Sequence, residues 1–148
     1  MPQSLAQVYV HLIFGTKHRK NFIDEQTRPS LQSYMIGVLA AIGSHTEELF
    51  VNPDHAHILC TLPRTMTIAS MFQKLKTSTS KWMKEKGKLN FQWQDGYAIF
   101  SVSSSKKESV VNYILNQSDH HKKVSFQDEL RVFFKQYNVE FDERYVWD

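Results

Sequence analysis

The chain has 148 residues, 18 lysines and arginines against 15 aspartates and glutamates, and one cysteine, for a formal net charge of +3. A hydrophobic fraction of 41% with 13% aromatics excludes a disordered tail, and the length suits one domain, 1–148, with a core of ordinary size. One cysteine excludes an internal disulfide or a cysteine-rich zinc ribbon. The longest nearly uncharged apolar run, Met35 to Gly43, is too short to span a membrane, and no signal-type segment is present, so a soluble, cytoplasmic protein is expected.

Residues 6–14 alternate, with Ala6, Val8, Val10, Leu12 and Phe14 opposed to Gln7, Tyr9, His11 and Ile13, which predicts a β-strand with one well-buried face. A polar, basic loop follows over 16–21. Leu31, Tyr34, Met35, Val38, Leu39 and Ile42 recur at spacings of three and four, predicting a helix over 30–42 that stops at Gly43. A second strand starts over 48–51, is bent by Asn52-Pro53, and runs on extended from His55 to Leu62. Thr67 can cap a helix that turns Ile68, Met71, Phe72 and Leu75 inward and ends at Gly87. Residues 91–103, with Trp93, Tyr97, Ile99, Phe100 and Val102, read as a strand or hairpin. Ser105-Lys106-Lys107-Glu108 has the form of a capping box before a helix through Val110, Val111, Ile114 and Leu115. A last helix over 125–137 and a short extended segment over 139–147 complete the chain. This order predicts an α+β fold: a ferredoxin-like, RRM-like split βαβ antiparallel sheet with helices packed on it.

The charge is unevenly distributed. Seven basic residues and one acidic residue, Glu85, lie between Arg64 and Lys88, whereas six acidic and three basic residues follow Val124. A second basic cluster is Lys17, Arg19 and Lys20. Either this is a solvated lysine-rich surface or one face meets a polyanion.

The most specific motif is Pro53-Asp54-His55-Ala56-His57-Ile58-Leu59. Residues two apart on a strand face the same way, so His55 and His57 present neighbouring imidazoles while Ala56 and Ile58 point into the packed side. Such a pair is either a polar strand face or a two-point metal platform, with Asp54 able to orient one ring. On the helix after the capping box, Tyr113 and Gln117 are four apart and share a face. Tyr113 is either an ordinary amphipathic-helix residue or a nucleophile; a phenol with a free pKa of about 10 needs a base or a metal to become reactive.

Taken in order, Asp54-His55-Ala56-His57, Lys74-Leu75-Lys76, Trp93-Gln94-Asp95-Gly96-Tyr97, Tyr113-Ile114-Leu115-Asn116-Gln117 and the ending from Tyr137 to Asp148 resemble the small single-tyrosine transposases of bacterial insertion sequences, of the IS200-like type. These are members of the HUH (His, hydrophobic, His) nuclease superfamily, and the resemblance covers nearly the whole chain. It implies that His55 and His57 bind a divalent metal, Mg2+ or Mn2+, that Tyr113 is the nucleophile and that Gln117 is the third metal ligand. It also implies attack by Tyr113 on single-stranded DNA beside a hairpin, giving a 5′-phosphotyrosine and a free 3′ hydroxyl for strand transfer without hydrolysis. A homodimer is implied as well, in which the tyrosine helix of one subunit can complete the histidine pair of the other. No membrane and no small-molecule substrate are expected.

On this reading Lys74, Lys76 and Lys81 follow the DNA backbone and Lys17, Arg19 and Lys20 grip the hairpin stem, with binding that weakens steeply in salt. Trp82, Trp93 and Tyr97 serve either core packing or base stacking. His121, four residues from Gln117, can approach the site, but a helix end or a phosphate contact suits His120 and His121 better. Cys60 reads as strand packing. Three competing readings remain at this point. A non-catalytic nucleic-acid-binding module would tolerate loss of Tyr113 and His55. A domesticated relative would act on host repeat hairpins. A histidine-dependent nucleotide hydrolase fits poorly, because position 59 is leucine where its pattern would have a third histidine.

Overall fold

The computed structural model of the chain describes residues 2–148. Four strands, β1 (Tyr9–Gly15), β2 (Thr46–Val51), β3 (His55–Thr61) and β4 (Ala98–Val102), form one sheet in the order β2-β3-β1-β4. Every neighbouring pair is antiparallel. The helices are α1 (Arg28–Ala41), α2 (Ile68–Glu85), α3 (Lys107–Leu115), α4 (Gln117–His120) and α5 (Phe126–Gln136). The units β1-α1-β2 and β3-α2-β4 interleave, each placing one strand between the two of the other, which is the split βαβ arrangement expected.

Period-two alternation assigns each strand residue to one of two cores. Val10, Leu12, Phe14, Ala56, Ile58 and Cys60 pack under α1 and α2 against Leu31, Met35, Leu39, Met71, Phe72 and Leu75. On the other face, Ile13, Ala98 and Phe100 lie under Phe126, Leu130 and Phe134 of α5, and Leu59 and Val102 lie under Ile114 of α3. Burying each large apolar side chain contributes about 1.5–3 kcal/mol, so both helical layers are firmly held.

The structure departs from the sequence reading at four places. First, β1 is buried on both faces, including His11 at 2% and Ile13 at 0% exposure, because α5 covers the side that the alternation marks as polar. Second, the bent strand over 48–62 is a hairpin: β2 and β3 pair antiparallel, with the 52–54 turn reversing the chain. Third, Ser105 caps nothing. A 3-10 turn over Ser104–Lys106 runs straight into α3, so Ser105 already lies inside the helical path and its hydroxyl meets Ser103 Oγ at 3.1 Å. Fourth, residues 139–147 form no strand. The amides of Tyr145 and Val146 close on the carbonyl of Asp142, and the Arg144 guanidinium pairs with the Asp142 carboxylate.

Strand β4 is also shorter than the 91–103 segment, whose first half crosses the sheet end as a loop with a single bridge from Trp93 to Thr16. By contrast, Thr67 and Ser125 do cap α2 and α5, accepting from Ser70 N at 3.0 Å and Asp128 N at 3.2 Å.

Candidate active site

His55 and His57 lie on the β3 face that α3 and α5 cover, and both are buried. A buried imidazole must find partners for its ring nitrogens. His57 meets His11 from the neighbouring strand at 2.8 Å through Nδ1 and Glu129 Oε1 at 2.8 Å through Nε2. His55 contacts Asp54 Oδ1 at 2.6 Å through Nδ1, while its Nε2 lies 3.1 Å from Asn52 Nδ2, 3.0 Å from His121 Nε2 and 3.4 Å from Glu129 Oε1. Asp54 thus stands where it orients the ring, and the hairpin turn supplies both Asn52 and Asp54.

The other wall comes from the C-terminal helices. Tyr113, near the end of α3, donates its hydroxyl to Glu129 Oε2 and lies 3.2 Å from His120 Nε2. The helical path is interrupted at Asn116 (φ −96°, ψ 15°), and the residues after it bring Gln117 and His121 to the hairpin residues Asn52 and His55, and His120 to Tyr113. Gln117 is buried, accepts from Asn52 Nδ2 at 3.1 Å and donates to Glu129 Oε2 at 3.2 Å. His121 approaches Glu129 Oε1 at 3.1 Å and is fixed by Val124 O at 2.7 Å. Glu129 itself, 2% exposed, projects from the apolar face of α5 between Phe126 and Leu130.

His55, His57, His121 and Glu129 therefore offer three imidazole nitrogens and a carboxylate oxygen, all within 4.8 Å of one another. Donors held about 2.1 Å from one small divalent cation lie about 3.0–3.4 Å apart, and the contacts of 3.0–3.4 Å among His55, His121 and Glu129 match that spacing. The donor set fits a divalent cation. Gln117 sits beside it, with its oxygen facing Asn52.

The electrostatics follow from burial and this crowding. Burial alone would raise the Glu129 carboxyl, but His57, His121 and His55 hold it well below the usual carboxylate range. Burial pulls His57 down to about 4 and pulls His11 well below its ordinary value. Burial also opposes the charge on His55, yet its hydrogen bonds to Asp54 and Glu129 outweigh it and leave that ring raised. Tyr113 is pushed far up by burial and then by the Glu129 charge, so its phenol is neutral here.

The structure thus brings His55, His57, Tyr113 and Gln117 together within one chain. Sequence reasoning missed Glu129 and His11, and it favoured a helix-end or phosphate-contact role for His121 over the approach to the site that the structure shows. The available signal for Glu129 was a carboxylate on the apolar stripe Phe126, Leu130, Phe134.

The basic residues lie elsewhere. Lys17 pairs with Asp95 at 3.3 Å, and Arg19 and Lys20 are exposed on a loop where His18 and Arg19 both have φ 57°. Lys74 and Lys81 are exposed on α2. Lys76 is half-buried and donates to the carbonyls of Gln94, Asp95 and Gly96 at 2.9, 3.3 and 2.6 Å; burial pulls it down to about 8. It clips a loop together. Trp93 is a core residue, and Trp82 stacks on Tyr34.

The chain belongs to the IS200-like transposase family, which matches residues 4–117. That span includes His55, His57, Tyr113 and Gln117 but ends before His121 and Glu129. The chain is similar to the ISDra2 transposase TnpA of Deinococcus radiodurans, 26% identical over 120 residues, covering 76% of this chain and 86% of that one. Two solved structures share the fold with a TM-score of 0.61 each. One is a candidate transposase of Deinococcus radiodurans, 22% identical, covering 79% of this chain and 98% of that one. The other is a REP-associated tyrosine transposase bound to a REP hairpin, 18% identical, covering 84% of this chain and 74% of that one. Among the described residues no helix is long and apolar enough to cross a membrane.

Proposed function

We propose that this transposase cuts single-stranded DNA beside a hairpin, with Tyr113 as nucleophile and a divalent cation, Mg2+ or Mn2+, held by His55, His57, His121 and Glu129, with Gln117 alongside. The observation that carries this is that Tyr113 donates to the same buried carboxylate that accepts from His57, although the residues come from different elements of one chain. A bound cation supplies Lewis-acid polarisation of the scissile phosphate and offsets the charge developing there.

The chain's own residues do the rest. Tyr113 Oη holds its proton in a hydrogen bond to Glu129 Oε2. As that oxygen bonds to phosphorus the bond from phosphorus to the 3′ oxygen breaks, and the phenol proton passes by way of Glu129 Oε2 to the departing 3′ oxygen. The products are a 5′-phosphotyrosine and a 3′ hydroxyl. Because the phosphodiester energy stays in the tyrosine link, a 3′ hydroxyl can attack it and rejoin strands without hydrolysis. Burial of the histidines and glutamate excludes water that would compete as nucleophile. One chain supplies one nucleophilic tyrosine, Tyr113, so excision at two ends uses two copies, and a homodimer follows as part of the proposal. Hairpin DNA as partner is supported by the similarity to the hairpin-bound relative.

The test is incubation with end-labelled hairpin DNA carrying single-stranded flanks, plus Mn2+ or Mg2+, followed by a denaturing gel. A covalent protein–DNA band is expected that vanishes with chelator and with Tyr113→Phe. A nucleic-acid-binding module without chemistry would shift the hairpin on a native gel and give no such band.

A further inference from the structure

Two sequence motifs take no part in the chemistry above: the run from Trp93 to Tyr97 and the ending from Arg144 to Asp148. The fold brings them together. Gly96 N donates to the carbonyl of Asp148 at 2.8 Å. Gln94 Nε2 donates to the same carbonyl at 3.3 Å and to that of Val146 at 3.5 Å. Gln94 is 4% exposed, and its Oε1 accepts from Gly15 N, at the end of β1, at 2.6 Å. One buried amide therefore joins the sheet end to segment 142–148, using its donor on one side and its acceptor on the other. Lys76 of α2 holds the carbonyls of residues 94–96, so this anchor is itself fixed.

From this anchor the segment reaches α5. Arg131 donates through Nε and Nη2 to the Glu143 carboxylate at 2.7 and 3.0 Å, and Trp147 Nε1 donates to Glu143 Oε2 at 3.0 Å. An exposed ion pair of this kind contributes little in water, so the attachment falls to the buried amide and to Trp147. The half-buried Trp147 ring meets Phe126 edge-on with centroids 6.4 Å apart. Phe126 in turn stacks on the His55 ring, with centroids 4.3 Å apart and planes at 17°. Glu129 follows one helical turn after Phe126. Val146 and Trp147 pack on the α5 cluster and on neither of the other two cores. Loosening the segment therefore frees α5 and leaves the α1 and α2 layer in place.

We infer that segment 142–148 is a strap, latched at Gln94, that holds Phe126 against His55 and Glu129 beside the histidines, so that Gln94 and Trp147 are positioning residues for the cluster. A cation site needs its donors held to within a fraction of an ångström by the groups around them. Here two of those donors come from different elements, His55 from β3 and Glu129 from α5, and the strap is what ties α5 to the end of the sheet. The inference rests on the reading of His55, His57, His121 and Glu129 as a cation site and adds what keeps its two walls in register.

The test is calorimetric titration of the full-length, metal-free protein with Mn2+, with amide hydrogen exchange in α5 and α2 read alongside. Gln94→Glu keeps the acceptor for Gly15 N but sets an oxygen against the carbonyls of Val146 and Asp148. Trp147→Ala removes the ring that meets Phe126. Each variant is expected to lower Mn2+ affinity about tenfold and to speed exchange in α5 but not in α2. Trp147→Phe, which keeps a ring against Phe126, retains the affinity. Val38→Ala, in the α1 layer, lowers the urea midpoint and leaves Mn2+ affinity unchanged, so the loss in the strap variants reports position and not stability. Wild-type affinity in both Gln94→Glu and Trp147→Ala overturns the strap, as does an equal loss in Val38→Ala. If the unaltered chain binds Mn2+ and the strap variants bind it equally well, the strap alone fails. If the unaltered chain binds no Mn2+, the cation-site reading fails and takes this inference with it.

Discussion

Glu129 decides what the cluster can do. Its carboxylate lies within hydrogen-bonding or ion-pair reach of His55, His57, His121, Tyr113 and Gln117, so it ties the sheet to the tyrosine helix. Glu129→Gln keeps the shape but removes the anionic donor, and we expect at least a tenfold loss of Mn2+ affinity in calorimetric titration. Unchanged affinity would remove Glu129 from the donor set. His11 acts one step further out, fixing which His57 nitrogen faces Glu129 through the 2.8 Å contact at Nδ1. His11→Ala should cost about 10–100-fold in the same titration, the usual effect of removing such a support. At this scale the sequence was partly legible. His55 and His57 declare themselves by strand spacing, and Tyr113 and Gln117 by helix spacing. Glu129 does not, because its contact with His57 spans 72 positions and depends on how α5 docks.

That docking belongs to the scale of elements. Phe126, Leu130 and Phe134 press α5 onto Ile13, Ala98 and Phe100, and the same stripe carries Glu129 into the site. Leu130→Ala should cost about 2–4 kcal/mol in urea unfolding and weaken Mn2+ binding together with stability. Loss of stability with Mn2+ binding unchanged would separate α5 from the site. Gly15 is where strand and helix come closest: a Cβ there would sit 2.7 Å from Phe126 Cε2 and 3.3 Å from Asp54 O. Helices α1 and α2 were readable from their periodicity, α2 also from Thr67, and the last helix was placed over 125–137. The failed capping box at Ser105 and the absent strand over 139–147 were not. Local patterns permit a cap or a strand, but the 3-10 entry to α3 and the Asp142 turn settle which backbone groups pair.

For the molecule as a whole, the split sheet follows from the order of elements, since interleaved βαβ units bury one strand of each between those of the other. What the order does not reveal is that both sheet faces are covered, which turns three histidines into interior groups with opposed titrations. His57, held down to about 4, and His11, also lowered, take up protons near 6.5 once unfolded. Between those values the unfolded chain binds more protons, so their contribution to stability is lost as pH falls from about 6.5 toward 4. His55 is raised and acts oppositely, contributing stability below about 6.5 that is lost as pH rises through its folded value. Glu129, being lowered, adds to the loss at the acid end, below about 4.5. Below about 6.5 the His55 contribution is constant, so the two lowered histidines set the trend and the melting temperature in chelator should drop between pH 6.5 and 4.5. A flat profile would contradict the burial argument.

The central claim is that Tyr113 becomes covalently attached to DNA. The most direct measurement is mass spectrometry of the protein after reaction with hairpin DNA, followed by nuclease trimming and tryptic digestion. The account predicts a nucleotide linked through its 5′ phosphate to Tyr113, on the peptide spanning residues 108–122. A nucleotide on any other residue, or cleaved DNA with no modified peptide, would contradict it.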